Sequence, residues 1–236
     1  MRILYIFPHP DDESFGPAHA MYKQVREGHE VFLLTLTKGG ATKKRHDLGY
    51  SIEEMGNIRY NEMKKVEAVL KLKGMSVLNL PDSGLKLLDP RIIEDIIKDE
   101  ILRLRPDVVV TYAVHGISGF HDHLITHAVV KRAYCELKDN NSFLKRLAFF
   151  TVNDESAKLS SHFKITPSSK EEISCVISVS DEDIAKAHEA LDCYETYSDV
   201  IKASGIKSMV LHEVCFELFN EKQEEVLNDL FKNLKQ

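Results

Sequence analysis

Several features that would assign a protein to a specialised class are missing from this sequence of 236 residues. No apolar run approaches the ~20 residues of a membrane-spanning helix, and no G-x-G-x-x-G turn follows the first strand-like segment. Acidic residues outnumber basic ones by 37 to 31, giving a net charge of −6. We therefore expect no general attraction to nucleic acid or to an anionic membrane surface. What is left is the ordinary composition of a globular protein.

Cysteine is scarce, and the N-terminus lacks targeting features. The four cysteines are far apart and none forms a C-x-x-C pair, so we expect them to pack in the core rather than form disulfides or bind metal. The chain enters an apolar segment directly, without the basic region, long apolar stretch and cleavage site of a signal peptide. The expected location is the cytoplasm, a reducing compartment.

The most informative segment is FPHPDDESFG, at residues 7–16. Residues 3–7 form an apolar run typical of a buried strand, and the prolines at positions 8 and 10 end it. Ligands of open α/β sheets bind at the carboxyl ends of strands. His9 and Asp12 offer the nitrogen and oxygen ligands that zinc accepts, and Asp11 between them is free for proton transfer. A simpler interpretation, in which Asp12 or Ser14 caps the next helix, leaves the histidine unexplained.

Repeated strand and helix patterns follow this segment. Strands are predicted at residues 3–7, 30–37, 76–80 and 108–111, and helices at residues 18–27, 58–72, 90–104 and 122–137. Strand–helix–strand units of this length imply parallel strands. The predicted fold class is therefore α/β, with a mostly parallel, Rossmann-like sheet flanked by helices.

Beyond residue 138 the pattern changes. Strands are predicted at residues 147–152, 173–179 and 210–219, and helices at residues 181–197 and 221–234, the last one amphipathic. Ser180 and Asp183 are the expected N-cap and N3 residues of the first of these helices. No linker precedes residue 137, so residues 1–236 are predicted to form a single domain. Residues 1–137 are its Rossmann-like half, which carries the metal site, and residues 138–236 elaborate it.

A second group of candidate ligands lies in YAVHGISGFHDHLITH, at residues 112–127, directly after the strand at 108–111. This loop should reach the same sheet edge as the first motif. A catalytic zinc ion takes three protein ligands and keeps an open position, and His9 and Asp12 supply two. His123 is the predicted third ligand, and Asp122 could orient a ligand histidine. His127, one turn later, is expected to face solvent or the core.

These motifs resemble those of a known family. PHPDDES at residues 8–14 resembles the opening motif of the zinc-dependent N-acetylglucosaminyl deacetylases of the PIG-L/LmbE family. GISGFHDH at residues 116–123 is similar to the second motif, whose pattern is His-x-Asp/Asn-His. GNIRYNE at 56–62, leading into Gly74, and PDSG at 81–84 also match. The resemblance covers about residues 1–137 and implies that His9, Asp12 and His123 bind zinc, with iron as the other candidate, while Asp11 is the general base.

The reaction implied by the resemblance is hydrolysis of the N-acetyl group of an amino sugar or its conjugate. Arg59 would contact a substrate hydroxyl, and Asp82, in the matching PDSG turn, would also bind the substrate. N-acetylglucosaminyl-malate, in bacillithiol-type thiol synthesis, is one candidate substrate. Two alternatives stay open: another metal-dependent amidase, and a non-catalytic protein that binds sugar or metal. The expected partner is a small molecule rather than nucleic acid or a membrane, and a homo-oligomer is compatible with the sequence.

One position departs from the family pattern. Phe120 stands where the family has the first histidine of its second motif, which helps to stabilise the oxyanion or protonates the leaving amine. His121 or His115 could supply an imidazole from a slightly different place. Asp11 could instead carry both proton transfers.

Overall fold

The computed structural model describes residues 1–160, 162 and 164–234, and the strands within them form one seven-stranded sheet. The strands are β1 (Arg2–Phe7), β2 (Glu30–Thr37), β3 (Gly74–Leu80), β4 (Val108–Tyr112), β5 (Arg146–Thr151), β6 (Cys175–Ser178) and β7 (Glu213–Leu218). Their order across the sheet is β3-β2-β1-β4-β5-β7-β6. The first five run parallel, and β7 is antiparallel to both of its neighbours. The predicted α/β class with a mostly parallel sheet is confirmed.

Helices cover both faces of this sheet. They are α1 (Asp12–Phe15), α2 (Ala18–Arg26), α3 (Lys44–Leu48), α4 (Ile52–Leu70), α5 (Pro90–Leu104), α6 (His121–Lys138), α7 (Asp154–Leu159), α8 (Asp181–Asp192) and α9 (Ser198–Ser204). Alternate residues of β1 enter different cores: Tyr5 packs in the cluster that contains residues of α2, α4 and α8, and Leu4 in the cluster of α5 and α6. Because both faces are buried, β1 reads as a continuous apolar run.

The site depends on the place of β1 and β4 in the sheet. The chain runs outward from β1 through β2 to β3 and then returns to form β4 on the other side of β1. The carboxyl ends of β1 and β4 therefore meet where the strand order reverses, which is the usual ligand position of such sheets. The loops that follow these two strands carry the two motifs found in the sequence.

One helix of the N-terminal half starts earlier than predicted. Helix α4 begins at Ile52, not near residue 58, because Ser51 and Glu54 form a capping box. The Ser51 hydroxyl accepts the Glu54 N–H at 3.2 Å, and the Glu54 carboxylate accepts the Ser51 N–H at 2.9 Å. The preceding polar segment contains the short helix α3, which the sequence did not predict.

Helix α8 has the predicted start but ends early. Ser180 and Asp183 form a capping box, which confirms the predicted N-cap and N3 residues. The helix stops at Asp192, and residues Glu195–Tyr197 form a separate 3₁₀ turn. The Glu62 carboxylate accepts hydrogen bonds from the Thr196 N–H and hydroxyl, both at 2.8 Å, and these bonds hold the chain out of the helical path.

The prediction of an amphipathic helix at residues 221–234 is wrong: none of these residues is helical. Leu227 instead forms a parallel bridge with Cys175 at the sheet edge. The Arg146 guanidinium, which is almost completely buried, donates to the carbonyls of Leu230 and Lys232. A helix would use the Leu230 carbonyl for its own hydrogen bonds, so this buried charge favours the irregular path.

The remaining sequence predictions need only small corrections. Strands β6 and β7 are shorter than the predicted segments 173–179 and 210–219. All four cysteines are free, and Cys175 and Cys215 pack in the core as expected, whereas Cys135 is exposed. Among the helices of the described residues, none combines the length and apolar character that crossing a membrane requires.

Candidate active site

The turn after β1 orients the first candidate base. Asp11 adopts a left-handed backbone conformation with φ 86°, which costs a residue with a side chain about 1–2 kcal/mol. Its carbonyl accepts the N–H groups of Ser14 at 2.9 Å and Phe15 at 2.8 Å, and its own N–H donates to the Tyr194 hydroxyl at 2.8 Å. These three hydrogen bonds offset the strain and fix the turn.

Tyr194 is tied to a second buried acid of the same turn. Its hydroxyl donates to Glu13 Oε1 at 2.6 Å, and the Ser14 hydroxyl donates to the same oxygen at 2.7 Å. Burial raises the pKa of Glu13 to about 7, although both hydroxyls oppose the rise. Glu13 therefore supports the Asp11 turn through Tyr194, a role that the sequence did not suggest.

Asp12 lies at the centre of the candidate metal ligands. Its carboxylate accepts the His9 N–H and the Tyr112 hydroxyl, both at 2.8 Å. Asp12 Oδ2 lies 3.5 Å from His9 Nδ1, and Oδ1 lies 3.3 Å from His123 Nε2. Burial alone would raise the pKa of Asp12, but the two imidazoles lower it well below its usual range. Asp12 is thus an ionised carboxylate at neutral pH.

His123 is oriented by a backbone hydrogen bond. Its Nδ1 lies 2.9 Å from the Gly116 carbonyl oxygen, which can only accept, so Nδ1 carries a hydrogen and Nε2 is the ring nitrogen that faces Asp12. The ring stacks on Tyr112 with a centroid distance of 4.3 Å. Gly116 has φ +62°, and a Cβ there would lie 2.8 Å from the His123 Cβ, so glycine is required at this position.

His9 faces carboxylates through both ring nitrogens. Its Nε2 lies 3.2 Å from Asp122 Oδ2 and 3.4 Å from Asp82 Oδ1, which leaves Nδ1 directed toward Asp12. Burial lowers the pKa of His9, but Asp12 and Asp122 outweigh it and raise the pKa to about 10. This position therefore favours positive charge.

The donor set fits a divalent ion. Ligand atoms of His9, Asp12 and His123 lie within 4.8 Å of one another. The ligand atoms of a tetrahedral zinc ion with bonds of about 2.0–2.2 Å lie roughly 3.3–3.6 Å apart. One Asp12 oxygen lies 3.5 Å from His9 Nδ1 and the other lies 3.3 Å from His123 Nε2. A second group, His9 with Asp82 and Asp122, meets the same 4.8 Å criterion. Its carboxylates also accept backbone N–H groups, from Ala41 at 2.6 Å and Leu85 at 3.3 Å, so they suit an orienting role.

Asp11 is paired with Arg59 rather than with the metal ligands. The Arg59 Nη2 donates to Asp11 Oδ2 at 2.5 Å and to the Pro10 carbonyl at 2.8 Å, and the guanidinium lies 4.1 Å from the Tyr197 ring centroid. Burial raises the pKa of Asp11 and Arg59 lowers it, leaving it at about 6. Asp11 is therefore ionised at neutral pH and close to the optimum for a base.

Comparison with known protein families is decisive for the N-terminal half. The family described as "GlcNAc-PI de-N-acetylase" (PIG-L) matches residues 4–134, more than half of the chain. The chain belongs to the PIG-L family.

Relatives agree with this assignment, and solved structures share the fold. The chain is 30% identical to "Mycothiol S-conjugate amidase" of Streptomyces coelicolor, over 61% of this chain and 55% of that protein. It is 26% identical to "Probable N-acetyl-alpha-D-glucosaminyl L-malate deacetylase 2" of Bacillus anthracis, over 64% of this chain and 65% of that protein. The chain therefore spans less than two thirds of either relative's length. A crystal structure of a deacetylase from teicoplanin biosynthesis shares the fold, with TM-score 0.72 at 15% identity, covering 92% of this chain and 97% of that one.

A cavity of about 720 Å³ opens over the PIG-L motif residues. Its lining contains all three predicted metal ligands together with Asp11, Arg59, Asp82 and His121. It also contains Tyr112, Tyr197 and His162, which sequence reasoning missed. Tyr112 is the last residue of β4, so a position at the carboxyl edge of the sheet could have been read from the sequence. Tyr197 and His162 come from the C-terminal third, where no motif pointed to the site.

The histidines near Phe120 have different surroundings. Phe120 is 57% exposed and lines the cavity beside His121, the first residue of α6. His115 is not among the described lining residues: its Nδ1 accepts the Ile117 N–H, and its Nε2 lies 3.0 Å from the Ser168 hydroxyl. His127 is buried against β4, where its Nδ1 donates to the Tyr112 carbonyl at 2.8 Å.

His19, on α2, also lines the cavity and gives a stability prediction. The side chain is buried, and burial lowers its pKa to about 4 from 6.5. The folded protein thus binds this proton less readily than the unfolded chain, so stability should fall as pH decreases from about 6.5 to about 4. Two and a half pKa units correspond to about 3 kcal/mol.

Chemical denaturation of His19→Gln and wild type at several pH values measures the contribution of His19 to the pH dependence of stability. The glutamine variant should lose less stability between pH 7 and pH 4, and His46→Gln, an exposed histidine, should match wild type. Equal pH slopes for all three proteins would contradict the prediction.

Proposed function

We propose that this member of the PIG-L family is a single-domain, metal-dependent N-deacetylase that hydrolyses the N-acetyl group of an N-acetylglucosamine-type sugar or conjugate. One observation carries the proposal: the Asp11 carboxylate and the His9, Asp12 and His123 ligand atoms line one cavity. The names of the relatives, an amidase and a deacetylase of a glucosaminyl conjugate, support it.

The metal site would be formed by His9, Asp12 and His123. Zinc is the proposed ion, with iron as the second candidate, because imidazole and carboxylate ligands suit both. When bound, the ion acts as a Lewis acid that polarises the amide carbonyl and acidifies water. Asp122 and Asp82 orient the His9 ring through its Nε2–H.

The chain's own residues then move the protons. Asp11 removes a proton from the water that attacks the amide carbonyl, and the departing amine receives a proton from Asp11 or from His121 as its bond to the carbonyl carbon breaks. Arg59 keeps the Asp11 carboxylate ionised and in place through its 2.5 Å hydrogen bond. Arg59 and Asp82 are also proposed to contact the sugar, since both line the cavity.

N-acetylglucosaminyl-malate is the proposed candidate substrate, and the B. anthracis relative supports it. Lys43 lines the cavity and offers a cation for a malate carboxylate. The proposed location is the cytoplasm, where the four free cysteines would stay reduced.

Acetate release tests the proposal directly. Purified protein loaded with zinc or iron should release acetate from N-acetylglucosaminyl-malate or a simple N-acetylglucosaminide, with one free amine formed per acetate. Failure on every N-acetylated amino sugar, with metal bound and the fold intact, would rule out the proposed function.

Another metal-dependent amidase is the second candidate, because the S. coelicolor relative is named an amidase. Cleavage of a thiol-conjugate amide, without acetate release from N-acetylglucosaminides, would favour it. A non-catalytic sugar- or metal-binding protein is the third, because Phe120 replaces the family histidine. Sugar binding without any turnover would favour that reading.

The imidazole that replaces the family histidine can be identified by substitution. His121 lines the cavity next to Phe120, so His121→Ala should lower kcat about tenfold or more with metal retained. His115→Ala should leave kcat nearly unchanged, since Ser168 and Ile117 already engage both ring nitrogens. Steady-state kinetics with metal analysis tests both. Unchanged kcat in the His121 variant would leave Asp11 as the sole proton carrier.

A further inference from the structure

The cavity has two chemically different walls. One wall carries the metal-ligand group together with polar residues such as Thr42, Lys43 and Ser83. The other wall is mostly apolar: Phe150, Val152, Val200, Ile206, Met209 and Val214 line it together with the polar residues Thr151, Ser156, His162 and Glu213. We call this second set the apolar wall.

The apolar wall comes from residues 150–214. Phe150 lies in β5 and Val152 directly after it, Val200 lies on α9, and Met209 lies in the 3₁₀ turn Ile206–Met209. The ligand-bearing segments belong to residues 4–134, which the family match covers, whereas every residue of the apolar wall lies outside that match. The part of the chain outside the family match thus forms one side of the cavity.

Phe150 places this wall next to the metal-binding turn. A Cβ on Gly16 would lie 2.8 Å from Phe150 Cε1 and 2.6 Å from the Asp12 carbonyl oxygen. Phe150 also neighbours Tyr112, whose hydroxyl donates to Asp12, with ring centroids 6.2 Å apart. A substrate positioned at Asp12 would therefore extend directly onto apolar surface.

The size of the cavity exceeds the needs of one sugar ring. Cavities of about 300–1,000 Å³ enclose ligands of drug size, and this one measures about 720 Å³. Val152, Val200 and Met209 are only half-buried, so their apolar surface is exposed to the cavity. Removing such surface from water is favourable by about 25 cal/mol per Å², which a fully polar ligand cannot exploit.

We infer that the apolar wall is a subsite for an apolar substituent of the amino-sugar substrate, carried as a hydrophobic aglycone or as an N-acyl chain longer than acetyl. The inference rests on the proposed function of the metal site and adds a substrate class to it. Asp11, Asp12 and the two histidines act on the amide, while the wall selects what is attached to the sugar.

Ligand binding to the metal-loaded Asp11→Asn protein tests the subsite without turnover. Calorimetry with the methyl and octyl glycosides of N-acetylglucosamine forms the aglycone arm, and N-acetyl and N-hexanoyl methyl glucosaminides form the acyl arm. At least one arm should show about tenfold tighter binding of the longer ligand, the gain from burying two methylene groups. The arm in which the longer ligand binds more tightly shows whether the apolar group is the aglycone or the N-acyl chain.

Two variants connect the gain to the wall. Val200→Thr and Met209→Gln change polarity at nearly constant volume and should reduce the gain to less than about threefold. Leu102→Gln, on exposed α5 surface, is the matched control and should keep it. If one wall variant does not fold, the affinities of short and long ligands for the other wall variant and for the protein with an intact wall still test the subsite.

Equal affinity of short and long ligands in both arms would overturn the subsite, and so would a gain that survives both wall variants. The subsite test measures binding and does not need turnover. If the wild-type enzyme released no acetate, the deacetylase function would be refuted, but the comparison of short and long ligands would still show whether the apolar wall binds an apolar substituent.

Discussion

Asp11→Asn is expected to lower kcat by about 10²–10⁴-fold while metal binding is retained. The carboxamide cannot accept the proton of the attacking water, and loss of a general base typically has an effect of this size. The substitution keeps the volume of the side chain, and the Arg59 guanidinium can still donate to the amide oxygen. Steady-state acetate release, measured beside metal content, is the test.

Asp95→Asn, an exposed acid on α5, is the matched control and should behave as wild type. A fully active Asp11→Asn enzyme with one bound metal would assign the base to another residue. The loss should appear in kcat and in kcat/KM alike, because Asp11 acts on the transferring proton rather than on substrate affinity.

Removal of a metal ligand should have the other large effect. Purified protein is expected to hold about one zinc or iron ion per chain, and chelation should abolish turnover. His123→Ala and Asp12→Ala should each lose the bound ion. Asp122→Asn should weaken metal affinity by about 10–100-fold, because its carboxylate accepts the His9 Nε2–H.

His127→Ala is the control, since this histidine lies one turn from His123 on α6 but faces β4. It should keep the full metal content. Full activity of metal-free protein after chelation, or an intact metal content in both ligand variants, would contradict the assignment of the site.

The strands and helices of the N-terminal half were predictable because each is marked by a pattern within its own segment of sequence. Strands β1 and β4 are buried on both faces, so each appears in the sequence as an unbroken apolar run. Parallel pairing of β4 beside β1 then brings their carboxyl ends together, and the loops that follow place His9 and His123 in one cavity. The sequence predicted that both loops reach the same sheet edge but not the order of the strands.

Other parts of the site depend on contacts that the sequence does not reveal. Tyr194 and Tyr197 reach Asp11 and Arg59 from more than 130 positions away, and no motif marks them. Where a helix was expected at 221–234, buried Arg146 instead pairs with Glu221 and donates to the carbonyls of Leu230 and Lys232. The spacing of apolar residues indicates that a segment could form an amphipathic helix. It carries no information about a buried charged side chain elsewhere in the sequence that binds the backbone of that segment.

The position of β7 also determines the order in which the protein can assemble on the ribosome. Strands β1 to β4 find their neighbours within residues 2–151, so the sheet edge that carries the candidate metal ligands can pair early in synthesis. Strand β6 emerges before β7 but joins the sheet through it, and β7 is the last strand among the described residues. The apolar wall is therefore completed after the side of the cavity that carries His9, Asp12 and His123, so a nascent chain holds the candidate metal-ligating residues before this wall is formed.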